Sequence, residues 1–196
     1  MSRIPRAALL NDLSGLGRCA LSVSIPTLSA LGVQPCPVPT ALLSAHTGFP
    51  GAVMEAQTDF LSRALAHYEA SGTVFDGVSS GYLGSTEQAD AIGAFLVRQR
   101  NLGCGVRLVD PAMADHGRLY RGVSAQMPKA MARLCAHATL ITPNHTEACL
   151  LTGLPYTGDA MSEEAAQALA KALLALGCDA ALITGLHLEG GRWANL

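Results

Sequence analysis

Short apolar runs of the β type alternate with longer runs of helical periodicity along most of the chain. The short runs predict strands at residues 7–10, 33–40, 74–79, 105–110, 138–142 and 179–184. The longer runs predict one helix ending near residue 30 and further helices at 59–70, 85–100, 124–136 and 162–176. This alternation is typical of an α/β fold, and we expect a mostly parallel sheet with helices on both faces. No repeat or linker divides the pattern, so residues 1–196 are expected to form a single domain.

Turn and cap residues define the expected ends of several elements. Gly32 is expected to end the first helix, and Ser162 to cap the last one. The Ser-Thr-Glu-Gln stretch at 85–88 has the spacing of a capping box. Three prolines within residues 33–40 favour an edge strand or an irregular strand, because proline cannot donate to a sheet ladder.

Polar residues and glycines concentrate just after the predicted strands. They lie in segments 11–17, 44–48, 81–84, 110–117, 143–147 and 184–185. In open parallel sheets, ligands bind at the carboxyl ends of the strands. The pattern therefore predicts a binding site formed by these segments together.

Composition narrows the classes of function. Hydrophobic residues make up 49% of the 196 positions and charged residues 14%, with a net charge of −2 and no cluster of Lys and Arg. Nucleic acids and anionic membranes are therefore not expected partners. No stretch approaches the roughly 18 apolar residues that span a bilayer. The six cysteines are scattered without metal-ligand spacing, which favours reduced thiols in a cytoplasmic protein.

The segment Gly15-Leu16-Gly17-Arg18-Cys19-Ala20 fits the G-x-G-x-x-A pattern of a dinucleotide site. Such a site also needs an acidic residue roughly 20 positions further on, to hold the ribose hydroxyls. No Asp or Glu lies between Asp12 and Glu55, which disfavours a dinucleotide-dependent oxidoreductase. The alternatives are a glycine turn that lets a substrate reach Asp12 or Ser14, and a purely structural turn.

Two acidic segments are candidates for a metal site. Asp110 ends a predicted strand, and Asp115 follows five residues later. Two such carboxylates can hold Mg²⁺ against a nucleotide phosphate. The alternative is a solvated Asp-Pro turn without a metal. Asn144 and Glu147 form a second pair of oxygen ligands after Pro143. The same two residues fit an ordinary helix cap with a Glu in the first turn, and the segment alone does not decide between metal site and cap.

Two further residues near strand ends have weaker functional signals. His46 lies in a glycine-containing stretch, but a single histidine is more often structural than catalytic. Tyr82, between Gly81 and Leu83, could lie over the ring of a ligand or simply pack.

Five segments together resemble the pyridoxal and pyridoxamine kinases, the vitamin B6 branch of the ribokinase superfamily. They are NDLSGLGRCALSVSIPTLSALG, TALLSAHTGFPG, SGYLGSTEQ, LVDPAMADHG and ITPNHTEACLLTG, in the family's order and at similar spacing. The resemblance covers essentially the whole chain and implies a ribokinase-like fold. Members of the family transfer the γ-phosphoryl group of ATP to the 5′-hydroxymethyl group of pyridoxal, pyridoxine or pyridoxamine.

The resemblance also implies roles for individual residues. Asp12 and Thr47 would contact the pyridoxal-type substrate, and Tyr82 would flank its ring. The ATP-binding residues would be Asp110, Thr142, Asn144, Glu147 and Thr184. The residues organising Mg²⁺ would be Asp110, Asp115 and Glu147. Many members are homodimers, and monovalent cations such as K⁺ often assist them.

The chain departs from the family pattern at two places. Ala114 stands where relatives often have glycine. The family's G-x-G-D motif, whose Asp takes the proton of the substrate hydroxyl, is expected after the 179–184 strand and is not found in the 196 residues. Thr157-Gly158-Asp159 is no substitute, because Tyr156 replaces the first glycine and the Ser162 helix follows. We therefore expect a chain incomplete at its C-terminus, with no catalytic residue assigned and poor activity on its own, since losing a general base costs roughly 10²–10⁴-fold.

Two rival functions stay open. The hydroxymethylpyrimidine kinases of thiamin synthesis share the superfamily architecture, although the NDLSG and SAHTGF segments favour the B6 branch. A non-catalytic protein that binds B6 vitamers would use Asp12, Thr47 and Tyr82 without phosphoryl transfer.

Overall fold

The computed structural model describes residues 3–158 and 160–196, so Asp159 of the 157–159 segment lies outside the described residues. The strands are β1 (Arg6–Leu16), β2 (Gln34–Ala45), β3 (Met54–Ala56), β4 (Gly77–Ser80), β5 (Val106–Val109), β6 (Ala114–Asp115), β7 (Arg118–Leu119), β8 (Leu140–Ile141), β9 (Ala160–Met161), β10 (Leu186–Leu188) and β11 (Arg192–Ala194). The helices are α1 (Leu21–Ala30), α2 (Thr58–Ala70), α3 (Thr86–Asn101), α4 (Met127–Cys135), α5 (His145–Thr152) and α6 (Glu163–Leu174).

Six strands form the central sheet in the order β3-β2-β1-β4-β5-β8. All neighbours in it are parallel except β3, which runs antiparallel to β2 at one edge. The predicted strand at 179–184 contributes only two parallel bridges beyond β8, at Ala181 and Thr184. Strands β9, β10 and β11 form a separate small sheet, and β6 pairs with β7.

Helices cover both faces of the sheet, as the alternating pattern predicts. On one face, Ala8 and Leu10 of β1 join the main core with side chains of α2, α3 and α4, including Phe95 and Met131. On the other face, Leu9 lines an apolar depression together with residues of α1. Because successive side chains of a strand point to opposite faces, β1 has apolar residues on both. The fold is therefore α/β with a mostly parallel sheet.

Strand β1 is longer than the sequence predicts. It continues through Leu16 beside β2, with a register shift between Asn11 and Leu13, so most of the expected 11–17 loop is strand. Gly15 explains part of the difference, because a Cβ atom at this position would lie 3.1 Å from the carbonyl oxygen of Ser44. The glycine lets two strands approach closely and does not end the strand.

The prolines of β2 lie in its first half. There β1 is the only sheet neighbour, because β3 pairs only with residues 41–43. The amide of Gln34 donates to Pro5 on the β1 side, at 2.8 Å. Amides of successive residues alternate in direction, so positions 35, 37 and 39 have their nitrogens on the open side. The edge-strand prediction is thus confirmed for this half, while the second half of β2 is an interior strand.

The helix ends match the sequence pattern at some positions and differ at others. Gly32 follows α1 with a φ of +76°, which favours glycine. The Ser162 side chain accepts a hydrogen bond from the amide of Ala165, at 3.2 Å, as expected of an N-cap. The capping box predicted at 85–88 is wrong: Ser85 makes no side-chain cap bond, and the buried Gln88 side chain instead accepts from the amide of Gly84.

The longest helix in the described part of the chain is α3, with 16 residues. None of the helices described is long and apolar enough to cross a bilayer.

Candidate active site

Two adjoining cavities lie at the carboxyl ends of the central strands. The first, of about 340 Å³, is lined by Asn11, Asp12, Ser14, Arg18, Cys19, Ala20, Leu43, His46, Thr47, Tyr82, Asp110, Ala112 and Tyr120. The second, of about 280 Å³, is lined by Asp110, Ala112, Tyr120, Thr142, Asn144, Glu147 and Thr184. The residues shared by both linings form a common wall, Asp110, Ala112 and Tyr120. Two ligands bound in these cavities would therefore be neighbours.

Asp12 lies on β1 within the register shift between Asn11 and Leu13, and it is 7% exposed. The Ser14 hydroxyl donates a hydrogen bond to its Oδ2, at 2.9 Å. Burial raises the pKa of the Asp12 carboxyl above its ordinary value, and the Ser14 hydrogen bond offsets part of this effect. The first cavity thus contains a buried acid held by a neighbouring hydroxyl.

Tyr82 is held on three sides. Its amide donates to Asn11 Oδ1 at 2.9 Å, and its carbonyl accepts from the hydroxyl of the fully buried Thr40 at 2.6 Å. Its own hydroxyl contacts Met54 Sδ at 3.1 Å. Burial, and then the nearby Asp12 carboxylate, raise the pKa of the phenol. Tyr82 therefore presents a fixed aromatic surface to the first cavity.

His46 is packed between two glycines at the same cavity. A Cβ atom on Gly17 would lie 2.6 Å from His46 Cδ2, and one on Gly48 would lie 2.8 Å from Cε1. The Gly48 amide donates to Nδ1 at 3.1 Å, and the Phe49 ring meets the imidazole edge-on. Gly17, with a φ of +118°, thus makes room for the histidine ring, which favours the structural interpretation of the glycine turn. Thr47 follows on the exposed side of the cavity.

Asp110 follows β5 and has a raised pKa of about 6, with burial as the cause. Glu147, 2% exposed on α5, has a pKa raised to about 7, chiefly by burial and further by the Asp110 charge. Hydrogen bonds from backbone amides offset part of the shift of Glu147. The second cavity therefore has a buried carboxylate, Glu147, and a half-buried one, Asp110, and a cation would stabilise both in the ionised form.

Asn144 and Glu147 form the cap geometry that the sequence left as one of two alternatives. The Glu147 amide donates to Asn144 Oδ1, and the Asn144 amide donates to Glu147 Oε2, both at 2.9 Å. Glu147 Oε1 also accepts from the amides of Met113 at 3.0 Å and Ala114 at 3.4 Å. The Asn144 side chain completes the link by donating to the Ala114 carbonyl, at 2.8 Å. Glu147 therefore joins the 110–115 loop to α5 while lining the second cavity.

Thr142 and Thr184 reach the second cavity from adjacent strand ends. The Thr142 amide donates to the Val109 carbonyl at 3.1 Å, and the Thr184 amide to the Pro143 carbonyl at 2.9 Å. Their backbone is thus fixed by the sheet and its extension.

Asp115 lies apart from the other acids. It lines neither cavity, its side chain is about half exposed, and it accepts a hydrogen bond from the His116 amide. Across residues 3–158 and 160–196, no three His, Cys, Asp or Glu side chains form a cluster able to hold a metal. Asp110 and Glu147 still fit Mg²⁺, which usually binds through one or two carboxylates with waters and phosphates completing the shell.

The sequence profile of the phosphomethylpyrimidine kinase family matches residues 21–195, most of the chain. The chain belongs to this family. A hydroxymethylpyrimidine/phosphomethylpyrimidine kinase of Salmonella typhimurium is 33% identical over 176 residues, which are 90% of this chain and 64% of that enzyme. The chain thus spans slightly less than two thirds of the length of this curated relative.

Solved structures of similar proteins agree with the family assignment. A protein of Bacteroides thetaiotaomicron, described as a phosphomethylpyrimidine kinase in a crystal form with pyridoxal, is 35% identical with a TM-score of 0.89, covering 94% of this chain and 64% of that one. Pyridoxal kinase of Lactobacillus plantarum is 30% identical with a TM-score of 0.86, covering 99% of this chain and 72% of that one. The resemblance to pyridoxal kinases and the ribokinase-like fold are confirmed.

Sequence reasoning missed several residues that line the cavities of this phosphomethylpyrimidine kinase family member. Tyr120 belongs to both linings, and burial together with the charges of Glu147, Asp115 and Asp110 raises its pKa to about 12. It follows the β6–β7 hairpin, which no motif in the sequence indicates. Asn11 lies in the polar segment 11–17, but no local pattern assigns it a role of its own, because its partner Tyr82 lies 71 residues further along the chain.

Proposed function

We propose that this family member is an ATP-dependent kinase that phosphorylates the hydroxymethyl group of a pyridoxal-type vitamin B6 compound. The observation that supports it is the common wall of the two cavities, which would place a bound acceptor beside a bound nucleotide. The acceptor oxygen would attack the γ-phosphorus, the bond to the β,γ-bridging oxygen would break, and ADP and a proton would leave. Such transfer depends mainly on positioning and on charge stabilisation.

The first cavity is the acceptor cavity in this proposal. The phenol ring of Tyr82 is held by contacts with three segments and offers a flat surface to a heteroaromatic ring. Asp12 offers a carboxylate to the polar groups of the ring, and the Thr47 hydroxyl lies at the exposed side of the same lining. The cavity volume of about 340 Å³ lies in the range of small-molecule sites.

The second cavity is the nucleotide cavity. Asp110 and Glu147 would hold Mg²⁺, and Asn144, Thr142 and Thr184 would contact the phosphates. The metal would supply positive charge against the phosphate oxygens, and none of the residues lining this cavity is basic. Asp115 is not included, because its carboxylate lines neither cavity.

Hydroxymethylpyrimidine is the second candidate acceptor. The family profile and the Salmonella relative favour it, whereas the crystal form of the Bacteroides protein with pyridoxal favours the B6 compound. Both acceptors are small heteroaromatic rings with a hydroxymethyl group, so the same cavity and the same transfer chemistry apply.

Titration calorimetry of this chain with pyridoxal and with hydroxymethylpyrimidine, each in the presence of Mg²⁺ and a non-hydrolysable ATP analogue, tests the proposal. We expect saturable binding of both the analogue and one acceptor, with pyridoxal tighter. Tighter binding of hydroxymethylpyrimidine would transfer the proposal to the second candidate. Binding of neither acceptor would overturn it.

A further inference from the structure

One side-chain oxygen holds the backbone of two residues of the acceptor cavity. Asn11 Oδ1 accepts hydrogen bonds from the amides of Asp12 and Tyr82, both at 2.9 Å. Asp12 belongs to β1, and Tyr82 lies two residues beyond the neighbouring strand β4. Asn11 thus connects the two strand ends that present these side chains to the cavity.

The Asn11 amide has little freedom to move. A Cβ atom on Gly81 would lie 2.3 Å from Asn11 Nδ2 and 2.5 Å from both Cγ and Oδ1, so the amide group lies flat against this glycine. Gly81 is itself fixed by donation from its amide to the Leu10 carbonyl, at 3.0 Å. Both amides that reach the side chain need an acceptor, which identifies the oxygen and fixes the orientation of the group.

We propose that Asn11 is a positioning residue for the acceptor, because its oxygen fixes the separation and orientation of Asp12 and Tyr82. The inference rests on the proposed function, which assigns both residues to acceptor binding. Asp12 and Tyr82 are each 7% exposed, so their amides would have no ready replacement in water if the oxygen were lost. The backbone would shift to find other acceptors, and the two side chains would shift with it.

The effect should be confined to one ligand. Asn11 lines the first cavity and not the second. Asn144, Thr142 and Thr184 belong to the other cavity and are held by hydrogen bonds that do not involve Asn11. Loss of the Asn11 oxygen should therefore weaken acceptor binding and leave nucleotide binding unchanged.

Asn11→Leu and Asn11→Asp form a matched pair for the test. Both variants lack the side-chain NH₂ group and have a side chain of a size similar to asparagine, but only the aspartate keeps an acceptor oxygen. We expect the leucine variant to raise the Kd for the acceptor about tenfold or more, as the loss of acceptors for buried amides implies. The aspartate variant should recover most of the affinity. Gly81→Ala should reproduce the leucine effect with Asn11 intact, because the added methyl group displaces the amide.

The controls are the Kd for the Mg²⁺–ATP analogue and the thermal unfolding midpoint of each variant. If Asn11→Leu binds the acceptor as tightly as the unchanged chain does, the inference is overturned, while the proposed function stays intact. Equal weakening of acceptor and nucleotide, or no recovery with Asn11→Asp, would assign Asn11 a purely structural role and also overturn it. Asn11→Ser, which shortens the side chain and withdraws the oxygen, replaces the leucine variant if that one does not fold. Absence of acceptor binding by the unchanged chain would overturn the proposed function itself, and this inference with it.

Discussion

Replacing Glu147 with glutamine would remove a buried carboxylate whose pKa is raised from 4.5 to about 7. Between these pH values the folded chain holds a proton that the unfolded chain has released. The free energy of unfolding should therefore fall as the pH rises through this window, in the absence of a bound metal. Asp110, whose pKa is raised to about 6, contributes with the same sign at slightly lower pH.

The structure sets the size of two effects of this substitution, the loss of a titrating carboxyl and the loss of one hydrogen-bond acceptor. A shift from 4.5 to about 7 corresponds to about 3 kcal/mol of unfolding free energy, lost between about pH 4.5 and 7. Glutamine keeps one oxygen for the amides of Met113 and Ala114 but loses the acceptor for the Asn144 amide, which costs about 1 kcal/mol at any pH. The variant should be about as stable as the unchanged chain at pH 5 and about 2 kcal/mol more stable at pH 8.

Urea unfolding followed by circular dichroism at pH 5 and pH 8, with EDTA present, measures this difference. Glu164→Gln is the matched control, because Glu164 is an exposed first-turn glutamate of α6 whose pKa is lowered by its own amide and by Ser162. Because the pKa of Glu164 is lowered from 4.5, this carboxylate is ionised in the folded and unfolded chain from pH 5 to 8, and its substitution should change stability equally at both pH values. A stability difference between Glu147→Gln and the unchanged chain that is flat from pH 5 to 8 would refute the reasoning.

Further predictions follow from single contacts. Thr40→Val removes the 2.6 Å hydrogen bond to the Tyr82 carbonyl and should lower the free energy of unfolding by about 1–2 kcal/mol in urea titrations, whereas an unchanged midpoint would show that this bond contributes nothing. Gly17→Ala forces a methyl group to 2.6 Å from the His46 ring at a φ of +118°, so both pyridoxal affinity and the thermal midpoint should fall. Asp115→Asn should change the Kd for the Mg²⁺–ATP analogue less than twofold, since the side chain lines neither cavity; a large loss would place Asp115 in the metal site.

The residues that the sequence placed correctly are those whose role depends on near neighbours in the chain. The spacing of Asn144 and Glu147 predicts a cap, and the cap is formed. The hydrogen bonds from Met113 and Ala114 to the same carboxylate join segments more than 30 residues apart, so no local pattern could indicate them.

Asp115 is a residue whose spacing from Asp110 in the sequence does not bring it into either cavity lining. It lies five residues after Asp110 in the sequence, but it belongs to the short β6–β7 hairpin. Ala114 is fully buried, and the next side chain of a strand points to the opposite side, so Asp115 faces outward. The polar composition of segment 11–17 predicts a loop, but most of the segment is strand. Its pairing with β2 cannot be inferred from its own composition.

Binding of two ligands to separate, adjoining cavities is the central claim, and a pair of substitutions tests it directly. Asp12→Asn changes a residue of the acceptor cavity alone, and Thr184→Val removes a hydroxyl from the nucleotide cavity alone. Calorimetric titrations of each variant with pyridoxal and with the Mg²⁺–ATP analogue should show weaker pyridoxal binding only for Asp12→Asn and weaker nucleotide binding only for Thr184→Val. The account would be contradicted if neither substitution changed the binding of either ligand. It would also be contradicted if both substitutions weakened the binding of both ligands alike.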